Sequence, residues 1–151
     1  MTNGTGDISD GSLKRAIEIA TEAHRGQVDK ANEPYILHSM RVMDQVHTLN
    51  EKIVGVLHDV VEKNLQWPLS RLAGEGFSPA IIQAVDAMTR RTGESYEDFV
   101  SRAIAHPMSR AVKVADLKDN IDMARRSGLD DSKYQKALDR VGERYSRTEM
   151  L

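Results

Sequence analysis

The sequence predicts an all-α fold in a single domain, on three observations. Apolar residues recur at three- and four-residue steps through most of the chain, and nowhere does a strand pattern alternate with a helical one. Proline stands where these stretches start and glycine where they stop. The 151 residues match one ordinary domain and contain no repeat, low-complexity tract or linker between halves.

Residues 1–10 are polar and are expected to form a flexible N-terminal tail, with the domain over 11–151. Ser12 is an N-cap candidate, and Leu13, Ala16, Ile17, Ala20 and Ala23 space out a helix to His24, ended by Gly26. A polar loop, GQVDKANEP, leads to a second helix from Pro34 or Tyr35, whose buried stripe is Ile36, Met40, Met43 and Val46 or Val42. The third segment, 51–62, contains IVGVLHDVV, which propensity alone assigns to a strand. Its apolar positions cover one broad arc of a helical wheel, with Gly55, His58 and Glu62 on the remaining side, and a buried helix is the reading.

A Trp67-Pro68 turn, a short helix through Leu72 and a break at Gly74 and Gly76 come next. The following helix runs from Ser78 or Pro79 to about Met88. After the polar RRTGE loop, Ser95 and Asp98 have capping-box spacing for a helix to Ala105. Pro107 opens another that reaches Arg126 before Ser127 and Gly128, and an amphipathic helix over 131–147 places Tyr134, Ala137, Leu138 and Val141 on one side.

Composition excludes several functions. There is no cysteine, hence no disulfide framework, thiolate zinc site or cysteine nucleophile. A chain of this size buries a core unaided, so a metal ion would serve function more than folding. Apolar runs such as 53–57 are too short to cross a bilayer, and the polar N-terminus does not resemble a secretory signal, so a cytoplasmic protein without membrane attachment is expected. Basic and acidic residues number 21 and 23, and the net charge of −2 with 5% aromatic residues is not the footprint of a nucleic-acid binder. Nothing in the pattern specifies a number of subunits.

The chemistry concentrates in His38, the adjacent His58 and Asp59, and Asp116, all in helical segments. Two imidazoles and two carboxylates suit one divalent ion, and such a set admits Mn, Fe, Co, Ni or Zn. A His-Asp pair alone is weak evidence, but this one follows the apolar run IVGVL, where polar groups need a partner or a metal to offset desolvation. Adjacent helical residues point about 100° apart, so both reach one ion only if it sits over the ridge between them. Around Asp116, AVKVADLKDN puts Lys113, Asp116 and Asn120 on one helical face. Asp116 is therefore either a ligand or the partner of Lys113 in an intrahelical ion pair.

Four motifs occur in order: H-x-G-Q at 24–27, K-x-x-x-P-Y-x-x-H at 30–38, L-H-D-V-V-E at 57–62 and V-K-V-A-D-x-x-x-N at 112–120. Together, over about residues 12–125, they resemble the HD superfamily of metal-dependent phosphohydrolases, specifically the hydrolase domain of RelA/SpoT-type proteins and the stand-alone small alarmone hydrolases. The resemblance implies an HD-type helical bundle and a manganese-dependent site with His38, His58, Asp59 and Asp116 as ligands. It also implies hydrolysis of the 3′-pyrophosphate of guanosine tetra- or pentaphosphate, a small-molecule nucleotide, by a water activated at the ion. Glu62 matches an acidic residue that orients or deprotonates that water, and as a bare helix-end carboxylate it would have no such role. Lys30 matches a phosphate contact, and Asn120 a position near the nucleotide or supporting the ligands. No counterpart of the synthetase half of the long proteins is visible, so the implied activity is degradation.

The chain departs from that pattern twice. Lys63 stands where the family usually has aspartate, reversing a charge, and either faces solvent or contacts a phosphate. Asp29 precedes Lys30 where arginine is usual, and would repel a polyphosphate if it pointed inward. These departures leave open an HD-type phosphatase for another substrate, such as a nucleoside monophosphate, and a module that binds metal or nucleotide without turnover. His24 is expected to make a structural hydrogen bond, and His47, His106, Arg90, Arg91, Arg125 and Arg126 to lie at the surface.

Overall fold

Twenty residues, Pro107–Arg126, form the longest helix because both of its ends are specified locally. Proline needs no amide partner at the first turn, and His106 Nδ1 accepts the Met108 amide. At the other end Gly128 adopts a φ of +68°, the left-handed conformation that closes a helix. This helix, α8, belongs to a computed structural model that describes residues 10–145. In chain order the elements are α1 (Asp10–Ala23), α2 (Tyr35–Gln45), α3 (Leu49–Leu57), α4 (Val60–Lys63), α5 (Leu69–Ala73), α6 (Pro79–Ala87), α7 (Tyr96–Ala105), α8 and α9 (Ser132–Arg144). Among the described residues there is no strand, only an isolated bridge between Val28 and Pro34. Among the described residues no helix is long and apolar enough to cross a membrane.

Helix α8 joins two apolar clusters. Val112 and Ala115 pack into a larger core with Ile19, Val42, Ile53, Leu57 and Val85 from α1, α2, α3 and α6. Val114 and Leu117 pack on the other side with Val100 and Ile104 of α7 and Ala137 and Val141 of α9. Covered on both sides, α8 carries Lys113 and Asp116 into the interior with the apolar residues.

Most predicted boundaries agree with the structure; the disagreements have physical causes. Helix α1 begins at Asp10, so Ser12 lies within the helix and does not cap it. Asp10 is the first of the described residues, and apolar spacing does not say how far ahead of Leu13 a helix starts. The expected tail falls on residues of which 1–9 lie outside the described ones. Helix α9 ends at Arg144, short of 147, because Tyr145 is extended (φ −130°, ψ 153°) and places its ring 3.5 Å from the Arg110 guanidinium carbon. The segment 51–62 is helical, as its wheel indicates, but starts at Leu49 behind a Thr48–Glu51 capping box and breaks in two at His58 and Asp59.

Gly55 and His58, placed by the wheel away from the apolar arc, are buried. The cause is a close crossing of α2 and α3: a Cβ at Gly55 would stand 3.2 Å from Met43 Cα and 3.3 Å from Met43 N. Both atoms are backbone, so a side chain here must push the helices apart. Gly55→Val is expected to cost about 2–3 kcal/mol through overpacking, read as a lowered Tm or denaturation midpoint. A variant as stable as the wild type would show that this crossing yields freely.

Candidate metal centre

Three segments bring the predicted ligands together. His38 lies in α2 and Asp116 in α8, while His58 and Asp59 lie where α3 ends and α4 begins. The break answers the angular problem posed by adjacent ligands: Asp59 leaves helical geometry (φ −106°, ψ 1°), so its carboxylate swings toward the same point as the His58 ring. One ligand-type atom from each of His38, His58, Asp59 and Asp116 lies within 4.8 Å of all the others.

The separations fit coordination. His38 Nε2 is 3.0 Å from Asp116 Oδ1 and 3.7 Å from Asp59 Oδ2. His58 Nε2 is 3.1 Å from Asp59 Oδ2 and 3.3 Å from Asp116 Oδ1. Donors about 2.1 Å from one ion at tetrahedral or octahedral angles lie roughly 3.0–3.5 Å apart, close to this spacing.

The ring orientations point the same way. A carbonyl oxygen only accepts, so His58 Nδ1 donates to Gly55 O at 2.6 Å and leaves Nε2 facing the cluster. His38 Nδ1 donates to Asp119 Oδ2 at 2.6 Å, leaving its Nε2 in the same position. Asp119 in turn accepts from Arg41 Nε at 2.7 Å and Nη2 at 3.1 Å. A carboxylate behind a histidine is the usual outer support of a metal ligand.

Electrostatics agree. Burial works against charge on both rings, yet hydrogen bonds to Asp116 and Asp119 hold His38 above the ordinary imidazole value. Burial is likewise outweighed at His58, which Asp59 and Asp116 hold well above it. Burial pushes the carboxylates up, but His58 draws Asp59 below the usual range, and Lys113 with the two imidazoles draws Asp116 well below it. The two carboxylates thus hold positive charge on the imidazoles between them, and the same donor set could hold a divalent cation.

The remaining predicted residues divide. Asp116 makes the intrahelical ion pair through Oδ2, which takes Lys113 Nζ at 3.0 Å, while Oδ1 faces the imidazoles and is the oxygen that could meet an ion. Asn120 Nδ2 donates to Asp116 O and Oδ1, each at 3.0 Å, and Asn120 Oδ1 accepts from Lys30 Nζ at 2.6 Å. Lys30, Glu62, Lys63 and Arg90 line a cleft of about 200 Å³ that opens onto His58, Asp59 and Asp116. Glu62 and Lys63 are exposed on it, with Lys63 Nζ 5.2 Å from the Tyr35 ring centroid. Arg90 is exposed, as expected, and also lines this cleft. Asp29 turns into its own loop, where Oδ1 accepts from the amides of Ala31 and Glu33 at 2.8 and 3.0 Å. His24 hydrogen-bonds to Gln27 at 2.8 Å and is not among the four convergent residues. His47 is exposed, and Arg125 and Arg126 pair with Asp131 and Asp122.

Sequence reasoning missed Asp119, Tyr35 and the late-helix wall. Asp119 follows Asp116 by three residues just as Arg41 follows His38, and that matched spacing was the available signal. Tyr35, three residues before His38, donates its hydroxyl to Asp59 Oδ2 at 2.6 Å. Lys133 and Tyr134 of α9 line the cleft, with Lys30 Nζ 5.1 Å from the Tyr134 ring centroid.

Among proteins of known name, the chain is 27% identical over 122 residues to a probable GTP pyrophosphokinase of Mycobacterium leprae, covering 72% of this chain and 15% of that protein. It is 28% identical over 114 residues to a GTP pyrophosphokinase of Streptomyces coelicolor, covering 70% of this chain and 13% of that protein. The chain thus spans about a seventh of the length of these distant relatives. No family model matches it.

Proposed function

We propose that this protein is an HD-type, manganese-dependent phosphohydrolase that removes the 3′-pyrophosphate from guanosine tetra- or pentaphosphate in the cytoplasm. The observation that carries the reading is the convergence of His38, His58, Asp59 and Asp116 beneath a cleft with cationic side chains. Two relatives named for pyrophosphate transfer with GTP support a guanine polyphosphate as the substrate class.

A bound ion lowers the pKa of a water and neutralises charge growing on phosphoryl oxygens. The chain's own residues supply the rest. Glu62, on the cleft wall, is the proton acceptor for the attacking water. Lys30, Lys63 and Arg90 bind phosphate oxygens, and Asn120 holds Lys30 in place through its 2.6 Å hydrogen bond. Asp29 is turned into its own loop and does not line the cleft, so the unusual residue there does not face a polyphosphate bound in it.

The test is to measure metal bound to purified protein and then assay it with manganese on guanosine tetraphosphate and a panel of phosphate esters. Pyrophosphate released from the alarmone is the expected product. Orthophosphate released from nucleoside monophosphates would replace this substrate with the one that Lys63 favours, and binding without product would make the protein a non-catalytic module. If the missing carboxylate beside Glu62 limits the rate more than the phosphate contact of Lys63 helps it, Lys63→Asp is expected to raise alarmone hydrolysis severalfold, measured as initial rate at saturating manganese. Unchanged or lower turnover would mean that the lysine is not what limits the rate.

A further inference from the structure

Lys113 is only 3% exposed, a placement lysine takes when it is paired. Its Nζ lies 3.0 Å from Asp116 Oδ2 and 4.4 Å from the centroid of the Phe99 ring, against the wall of the cleft. Asp116 Oδ2 is thereby engaged, and Oδ1 alone faces His38 Nε2, His58 Nε2 and Asn120 Nδ2. We infer that Lys113 is a positioning residue that restricts Asp116 to one-oxygen coordination of a divalent ion and keeps a surplus positive charge beside it. The inference rests on the metal-centre reading above.

Counting charges shows what Lys113 changes. Two neutral imidazoles and the carboxylates of Asp59 and Asp116 balance a divalent ion. Arg41 is balanced separately by Asp119. Among the described residues Lys113 pairs with no carboxylate other than Asp116, so with an ion bound the four ligands and Lys113 together would carry one net positive charge. That charge repels the ion and weakens its binding. The same charge strengthens the pull on an incoming phosphoryl group, whose negative charge it helps to stabilise. Metal affinity and turnover are therefore set against each other at this residue, whereas a lysine that merely held the helix together would support both.

The experiment titrates Mn²⁺ into the full chain and follows the free ion by electron paramagnetic resonance, for wild type, Lys113→Gln and Lys113→Met. Circular dichroism and Tm report folding. Glutamine keeps a donor for Asp116 and removes the charge; methionine removes both, and either variant suffices if the other does not fold. Mn²⁺ affinity is expected to rise about tenfold, as fits removal of a nearby unit charge in a partly screened site. Hydrolysis of guanosine tetraphosphate at saturating Mn²⁺ is expected to fall about tenfold or more. Lys113→Arg, which keeps the charge, should stay nearer to wild type in both measurements than Lys113→Gln does. Folded variants whose affinity is unchanged, or falls together with activity, overturn the inference while leaving the centre intact. Wild-type protein that takes up no Mn²⁺ removes the centre itself, and the inference with it.

Discussion

Asp59→Ala is expected to abolish both metal retention and turnover while leaving the helical fold in place. Asp59 supplies the oxygen that stands 3.1 Å from His58 Nε2 and 3.7 Å from His38 Nε2, so its removal takes away one of four donors and half of the carboxylate charge in the centre. A divalent ion then faces two imidazoles and one carboxylate already shared with Lys113. The fold should survive because the cores are built without Asp59: its neighbours Leu57 and Val60 belong to the larger apolar cluster, which the substitution leaves untouched. Metal analysis of the purified variant, its circular dichroism spectrum and a hydrolysis assay check the three parts separately. Full activity in a metal-depleted Asp59→Ala preparation would contradict the proposed chemistry directly.

Asp119→Ala is the second large effect, though Asp119 lies behind the ligands. Its carboxylate receives the His38 Nδ1 proton at 2.6 Å and two Arg41 donors. Without it, His38 loses the partner that fixes its tautomer and ring angle, and the Arg41 guanidinium is left beside the ring with no counter-charge. Removal of such a support typically costs about 10–100-fold in metal affinity or activity, and a loss of that size is expected here. Mn²⁺ affinity and turnover should fall together, in contrast to the opposed changes expected at Lys113. If Asp119→Ala binds Mn²⁺ as the wild type does, the hydrogen bond to His38 does not govern the centre.

Helix ends that depend on local chemistry were legible in the sequence. Pro107 and Gly128 bound α8, and Ser95 accepts the Asp98 amide at the start of α7, because these residues act through their own φ or through a partner three positions away. What was illegible depends on distant neighbours. No proline or glycine marks the break at His58 and Asp59, since the turn is settled by where α2 and α8 put the other ligands. Lys113 looked like a surface partner of Asp116 because spacing along one helix does not say that α7 and α9 cover it from the far side. The four convergent residues were visible as residue types in ordered motifs, whereas the support from Asp119 and Tyr35 required knowing which faces of α2, α3 and α8 meet.

The contact made at Gly55 sets a dimension that side chains cannot adjust. Where two helices touch backbone to backbone, the interval between a nitrogen carried by one and a nitrogen carried by the other is ruled by main-chain atoms, which hardly relax. His38 and His58 ride on such a pair. The backbone beneath their rings is therefore preset, and with Asp119 and Gly55 O holding the ring angles, a cation whose bond lengths match the gap would enter without dragging the scaffold along. Selection among ions would then begin as a matter of radius, before softness or abundance plays any part.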